Sequence, residues 1–210
     1  MSESSVAARP PRPRCSCCRR PAGHCICHLL PQISARTQVL VVQHPDEHKH
    51  ALNTARLLVA GLVNAELVVA EQLDEDWCAR LIDPQWHTEL LFPGSDTPVL
   101  QGNGQAQRPR RLVLLDGTWR KARKLLYLNP VLQQLPRVAL PAGLLSRYRL
   151  RKAPMAGALS TIEAGVHALQ ILEPQLDFNP LLRPFDALIE GQIAAMGRDV
   201  YQRNHETQRY

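Results

Sequence analysis

Two groups of residues in this chain combine types and spacings that suit chemistry. The first is Asp116, Gly117, Thr118 and Trp119, which set a carboxylate, a flexible link, a hydroxyl and an indole directly after the apolar run Leu112, Val113, Leu114 and Leu115. A carboxylate in such a turn is suited to accepting a proton or to steadying a positive charge on a ligand. The same four residues also have a purely structural account. Asp116 or Thr118 caps the following helix, Gly117 permits the turn, and Trp119 enters the core.

The second group is Cys15, Cys18, Cys25 and Cys27, two close pairs separated by a short turn through Pro21, Ala22 and Gly23. Two such pairs can close a tetrahedral thiolate site, with Cys17, His24 and His28 as additional potential ligands. Four thiolates leave no open coordination position, so the expected metal is a structural zinc. In a reducing compartment such cysteines are not expected to form disulfides, which favours a metal; reduced thiols without one are the alternative.

The elements that position these groups follow from hydrophobic period. A short uninterrupted apolar run over 112–115 predicts a strand covered on both faces, ending where Asp116 begins a turn. From Thr118 onward, Trp119, Ala122, Leu125 and Leu126 share one side of a helix, and Arg120, Lys121, Arg123 and Lys124 crowd the other. Further strands are expected over 39–42, 67–69, 89–92 and 137–140, and helices over 49–62, 74–82, 160–172 and 180–203. Alternation of strands with helices predicts an α/β fold with a mostly parallel sheet and flanking helices. In such sheets ligands bind at the carboxyl ends of strands, which is where Asp116 falls. Ser160 with Glu163 three residues on is a capping box, although free amides at that helix start would also suit a ligand carboxylate. Arg147, Arg149 and Arg151 alternate with other residues, as the basic side of an extended segment would. Such a row suits either phosphates or a solvated edge.

The chain has 210 residues and a formal net charge of +6 with pI near 9.2, which is compatible with a polyanionic partner but does not establish one. Residues 1–14, with three prolines and three arginines, read as a flexible basic arm; 15–36 are expected to form a zinc-binding segment and 37–210 the main α/β domain. The segment 101–107, rich in Gly and Gln, reads as an exposed loop. No secretory signal or membrane-length apolar run is visible, so a cytoplasmic protein with no membrane contact is expected. No obligate protein partner is inferred. A P-loop and a Gly-rich dinucleotide fingerprint are both absent, which removes support for nucleotide triphosphate and nicotinamide chemistry.

Taken in order, the cysteine cluster, His44 and Pro45, the run Leu91, Phe92, Pro93 and Gly94, the stretch from Leu115 to Trp119, the stretch from Tyr148 to Arg151, and Ser160 with Thr161 resemble the DTW-domain family. Asp116, Thr118 and Trp119 match its Asp-x-Thr-Trp motif. The resemblance spans roughly 15–197 and implies an α/β fold related to the SPOUT class, with a C-terminal knot whose loops hold S-adenosylmethionine. It also implies transfer of the 3-amino-3-carboxypropyl group from that donor to N3 of a uridine in tRNA, in the variable-loop region, with methylthioadenosine released.

Against that chemistry, Asp116, Thr118 and Trp119 are the expected catalytic residues. Leu91, Phe92, Pro93, Gly94, Leu115, Gly117, Ser160 and Thr161 are expected to form the donor pocket, and the two basic surfaces to contact tRNA. Asp116 would take the N3 proton or steady the donor's positive charge, Thr118 would fix the loop or bond the donor, and Trp119 would stack on a base or adenine. A SPOUT-like RNA methyltransferase using the same donor and a non-catalytic zinc-stabilised RNA-binding module are the alternatives. Methylthioadenosine release separates the first from the transferase, and absence of donor binding would favour the second.

Overall fold

The computed structural model describes residues 13–50, 52–102, 108–150 and 158–203. Its strands are β1 (Gln38–Gln43), β2 (Ala65–Val69), β3 (His87–Leu91), β4 (Arg110–Asp116) and β5 (Arg137–Val138). They form one sheet in the order β2-β1-β4-β3-β5, and every pairing is parallel. The helices are α1 (Thr54–Ala60), α2 (Glu75–Leu81), α3 (Trp119–Leu128), α4 (Pro130–Gln134), α5 (Thr161–Leu172), α6 (Leu182–Met196) and α7 (Arg198–Tyr201).

Each central strand buries both of its faces, which is why its sequence is a continuous apolar run. Val39, Val41, Leu112 and Leu114 point into a core shared with α1, α5 and α6. Leu40, Val42, Leu90 and Val113 point the opposite way, into a second core with α2, α3 and α4. β1 and β4 run in register, so that Gln43 pairs with Asp116 at their carboxyl ends. α5 sits tightly on α1 because residue 165 is a glycine: a Cβ there would lie 2.5 Å from Cδ2 of Leu58.

Several elements depart from the expected limits for local reasons. α1 begins only at Thr54, because the Asn53 side chain accepts from the backbone N–H of Arg56 and caps the helix there. The preceding residues form a single 3₁₀ turn over Pro45–Glu47, and Ala51 is outside the described residues. β5 is regular for two residues only. Beyond it, Ala139 turns its hydrogen bonds away from β3: its N–H donates to the Pro98 carbonyl at 2.9 Å, and its carbonyl accepts from Leu100 N at 2.8 Å. Residues 137–139 therefore run between β3 on one side and residues 98–100 on the other. The C-terminal helical region breaks at Gly197, whose φ of +87° ends α6. Of the expected basic arm, residues 1–12 are outside the described residues, as are 103–107 of the expected loop.

The cysteine segment is packed onto the main body. Ile26 is buried in the same core as α1, α5 and α6, with Cys18, Leu29 and Leu30 against it. At the far end of α5, the buried Glu173 carboxylate accepts from the backbone N–H groups of Arg36 at 3.0 Å and Thr37 at 2.7 Å, fixing the entry to β1.

Candidate active site

The carboxyl ends of β3 and β4, the start of α3 and the start of α5 converge on one region. Asp116 closes β4 and is 9% exposed. It does not cap α3. That role belongs to Thr118, whose hydroxyl accepts from Lys121 N at 3.3 Å. The Asp116 carboxylate instead accepts from Gln43 Nε2 at 2.7 Å through Oδ2 and from the Thr161 hydroxyl through Oδ1. Gly117 joins strand to helix at φ +155°, and a Cβ there would meet Lys121 Cβ at 3.0 Å, so this tight entry to α3 requires glycine.

Two cavities adjoin at this point. A largely apolar one of about 380 Å³ is lined by Leu91, Phe92 and Pro93 from the end of β3, Leu115, Gly117, Trp119 and Ala122 from β4 and α3, residues 140–144 from the connection after β5, and Ala158, Thr161 and Ala164 around the start of α5. Trp119 is half-buried and packs edge-on against Phe92, with ring centroids 5.8 Å apart. A second, more polar hollow of about 630 Å³ is lined by Glu47, His50, Asn53, Thr54, Asp116, Thr118, Lys121, Tyr148 and Ser160. Gly117 and Thr161 line both. The Asp116 carboxylate thus stands beside the wall between an apolar and a polar compartment.

Of the residues expected to form one pocket, Leu91, Phe92, Pro93, Leu115, Gly117 and Thr161 line the apolar cavity together. Ser160 lines the polar hollow, and its hydroxyl and backbone N–H are engaged with Glu163 in the capping box. Gly94 lines neither cavity; a Cβ there would meet Thr97 Oγ1 at 2.9 Å, so its small size serves the turn over 94–97. Glu163 does more than cap. Its buried carboxylate also accepts from the Ser146 hydroxyl and from Arg147 N, and so ties residues 146–147 to the start of α5. The sequence offered no signal for that second role, which joins segments 16 residues apart.

The basic residues divide into paired and unpaired ones. Lys121 is 2.8 Å from Glu47 and Lys124 is 2.7 Å from Glu71, whose same oxygen accepts from His44 Nε2 at 2.8 Å. The hydrogen bond from Lys124 holds the Glu71 carboxyl below the usual glutamate range, and the bond to Glu47 raises the Lys121 ammonium above the ordinary lysine value. Arg120 and Arg123 are exposed and, among the described residues, have no ion pair. Arg147 and Arg149 lie in irregular chain, exposed on one side while Tyr148 and Leu150 turn inward, and pair with Asp186 and Glu190 of α6. Arg151 lies outside the described residues.

Cys15, Cys18, Cys25 and Cys27 bring their sulfurs within 4.8 Å of one another, with Cys15 to Cys27 at 3.6 Å and Cys18 to Cys25 at 3.9 Å. Tetrahedral zinc with Zn–S of about 2.3 Å requires sulfurs about 3.8 Å apart, so the donor set fits that ion. Backbone N–H groups of Cys18 and then Cys17 stabilise the Cys15 thiolate and lower its pKa to about 6. Cys17 is exposed and outside the cluster. Arg19 follows Cys18 at φ +59°, the left-handed conformation that closes the knuckle.

The DTW domain matches residues 12–193 of this chain. The tRNA-uridine aminocarboxypropyltransferase 2 of Drosophila melanogaster is 34% identical over 200 residues, which cover 90% of this chain and 79% of that protein. The protein of the same name from Mus musculus is 32% identical, covering 87% of this chain and 64% of its own length. The tRNA-uridine aminocarboxypropyltransferase A of Arabidopsis thaliana is 29% identical, covering 76% and 72%. No solved structure matches. With a domain match over most of its length and relatives of this kind, the chain belongs to the DTW-domain family.

Proposed function

We infer that this chain is a tRNA-uridine aminocarboxypropyltransferase that moves the 3-amino-3-carboxypropyl group of S-adenosylmethionine to N3 of a uridine in tRNA. The observation that carries the reading is the Asp116 carboxylate at the wall between the two cavities. The apolar cavity falls within the range of about 300–1,000 Å³ usual for small-molecule sites, and Phe92 and Trp119 give it aromatic surface for an adenine ring. Uridine then enters the polar hollow, where Asp116 faces it.

In the reaction, the N3–H bond of uracil gives its proton to Asp116 and its electron pair to a new N3–C bond. The bond from that methylene carbon to the sulfonium breaks, and its electrons leave sulfur neutral in methylthioadenosine. Thr161 and Gln43 hold both carboxylate oxygens through this transfer. Thr118 fixes the loop as the cap of α3. The target uridine is assigned to the variable-loop region of tRNA on family resemblance.

The thiolates of Cys15, Cys18, Cys25 and Cys27 would hold one zinc, which supplies structure rather than chemistry because no coordination position stays open. A SPOUT-like knot is supported by the path of residues 137–139 between β3 and residues 98–100, since the chain passes there from the α3–α4 face of the sheet toward α5 on the other. Among the described residues no helix is long and apolar enough to cross a membrane; a cytoplasmic site of action is inferred from the tRNA substrate.

Calorimetric titration with S-adenosylmethionine tests the donor assignment. Ala164→Leu fills the apolar cavity with a good helix former and should weaken donor binding at least tenfold, while leaving tRNA binding intact. Unchanged donor affinity in that variant would place the donor elsewhere.

A further inference from the structure

The side chain of Gln43 is fully buried at the end of β1, level with Asp116 on β4. Its amide nitrogen donates both to Asp116 Oδ2 at 2.7 Å and to Asn53 Oδ1 at 3.2 Å. The direction of that amide is fixed by its neighbours. Asn53 Oδ1 also accepts from Arg56 N, and Asn53 Nδ2 donates to the Glu47 carbonyl, so an oxygen faces Gln43 from both sides and only a nitrogen can face back. Among the described residues, Gln43 Oε1 is left buried with no partner. An unpaired buried carbonyl is unfavourable, and its retention calls for an explanation outside stability.

We propose that Gln43 is a positioning residue that keeps Asp116 ionised and turned toward the polar hollow. A donor to a carboxylate stabilises its charged form and lowers its pKa. Thr161 donates to Oδ1 and Gln43 to Oδ2, so each carboxylate oxygen has a donor that favours the charged form. Asn53 carries the arrangement into α1, since the oxygen that caps the helix also accepts from Gln43. Among the described residues, the titratable or charged groups that face the same hollow are Glu47 and His50 before α1, Lys121 on α3 and Tyr148. Lys121 is paired with Glu47, and His50 is the imidazole on this lining, so it serves as the control.

This inference rests on the proposed role of Asp116. The experiment is the pH dependence of single-turnover transfer from S-adenosylmethionine to unmodified tRNA, for the full chain, Gln43→Met, Gln43→Glu and His50→Gln. Gln43→Met keeps the size but removes the donor, and the acid limb should move upward by about one pH unit or more. Gln43→Glu keeps the shape and sets a second carboxyl against Asp116, so the limb should split or move further; it carries the test if Gln43→Met does not fold. The acid limb of His50→Gln should stay with the wild type. Variants of Gln43 that lose rate equally at every pH, or a limb that follows His50, would overturn the assignment of Gln43 alone. A wild type that binds the donor but transfers nothing would overturn the role of Asp116 and this inference with it.

Discussion

The hydroxyl of Thr161 donates to Oδ1 of Asp116, so the first residue of α5 and the last of β4 are joined 45 positions apart in the chain. Thr161→Val keeps the branched shape and removes the donor, while the cap of α5 remains on Ser160. Single-turnover transfer should fall roughly tenfold or more, and loss of a hydrogen bond to a charged group worth about 1.5–3 kcal/mol should also lower the melting temperature by a few degrees. A variant with wild-type rate would make the contact structural only.

Replacing Asp116 itself separates charge from shape. Because Thr118 caps α3, Asp116→Asn should leave that helix intact. The asparagine amide would set an N–H against one of the two donors, a stability loss of about 1–3 kcal/mol. The rate should fall by roughly 100-fold or more, far beyond what that loss accounts for while the protein stays folded. Thermal melting and donor titration on the same preparation check the distinction.

The basic face of α3 predicts two kinds of effect on tRNA binding. Arg120→Ala and Arg123→Ala should each lower the magnitude of the salt slope by about 0.7–0.9, since neither residue has an ion pair among the described residues. Removing the Arg147 and Arg149 charges should change the slope less, because those charges are already engaged by Asp186 and Glu190. Filter binding of unmodified tRNA across a salt series gives both numbers, and equal slopes in all variants would assign both surfaces to solvation.

The clamp of α3 onto the loops after β1 and β2 has a defined pH window. Glu71 has a folded pKa below its unfolded value, so its contribution is present above about 4.5 and is lost as pH falls through the folded value. Lys121 is shifted upward, so its contribution is present below about 10.5 and is lost only as pH rises above that. The clamp should therefore hold across neutral pH and open in acid. Amide exchange in residues 45–50 and at the start of α3 should accelerate below pH 4.5, and Lys124→Met should remove the acid step.

Zinc removal should reach beyond the knuckle. Cys27→Ser or chelation should abolish stoichiometric zinc and lower the stability of the packing around Ile26 and α6, whereas Cys17→Ser should keep the metal. Arg19→Gly relieves a left-handed residue and should keep the metal while raising stability by about 1 kcal/mol. Metal content by mass spectrometry and melting temperature decide both.

Much of this arrangement was legible in the residues, since continuous apolar runs and capping patterns act locally. The runs at 39–42 and 112–115 mark strands buried on both faces, and Ser160 with Glu163 marks the start of α5. The early end of a strand such as β5 was not legible, because its limit depends on Ala139 bonding to residues 98–100. The cap of α3 was open between Asp116 and Thr118, and tertiary donors decide it: Gln43 and Thr161 occupy the aspartate. The ion partners of Lys121, Lys124, Arg147 and Arg149 were equally hidden, for they lie on other elements.

The most direct test of the transferase reading is nucleoside and donor-product analysis after incubating the purified chain with S-adenosylmethionine and unmodified tRNA. The account predicts one 3-(3-amino-3-carboxypropyl)uridine formed for each methylthioadenosine released, with both products lost together in Asp116→Asn. Methyluridine with S-adenosylhomocysteine, or donor turnover unaffected by Asp116→Asn, would contradict it.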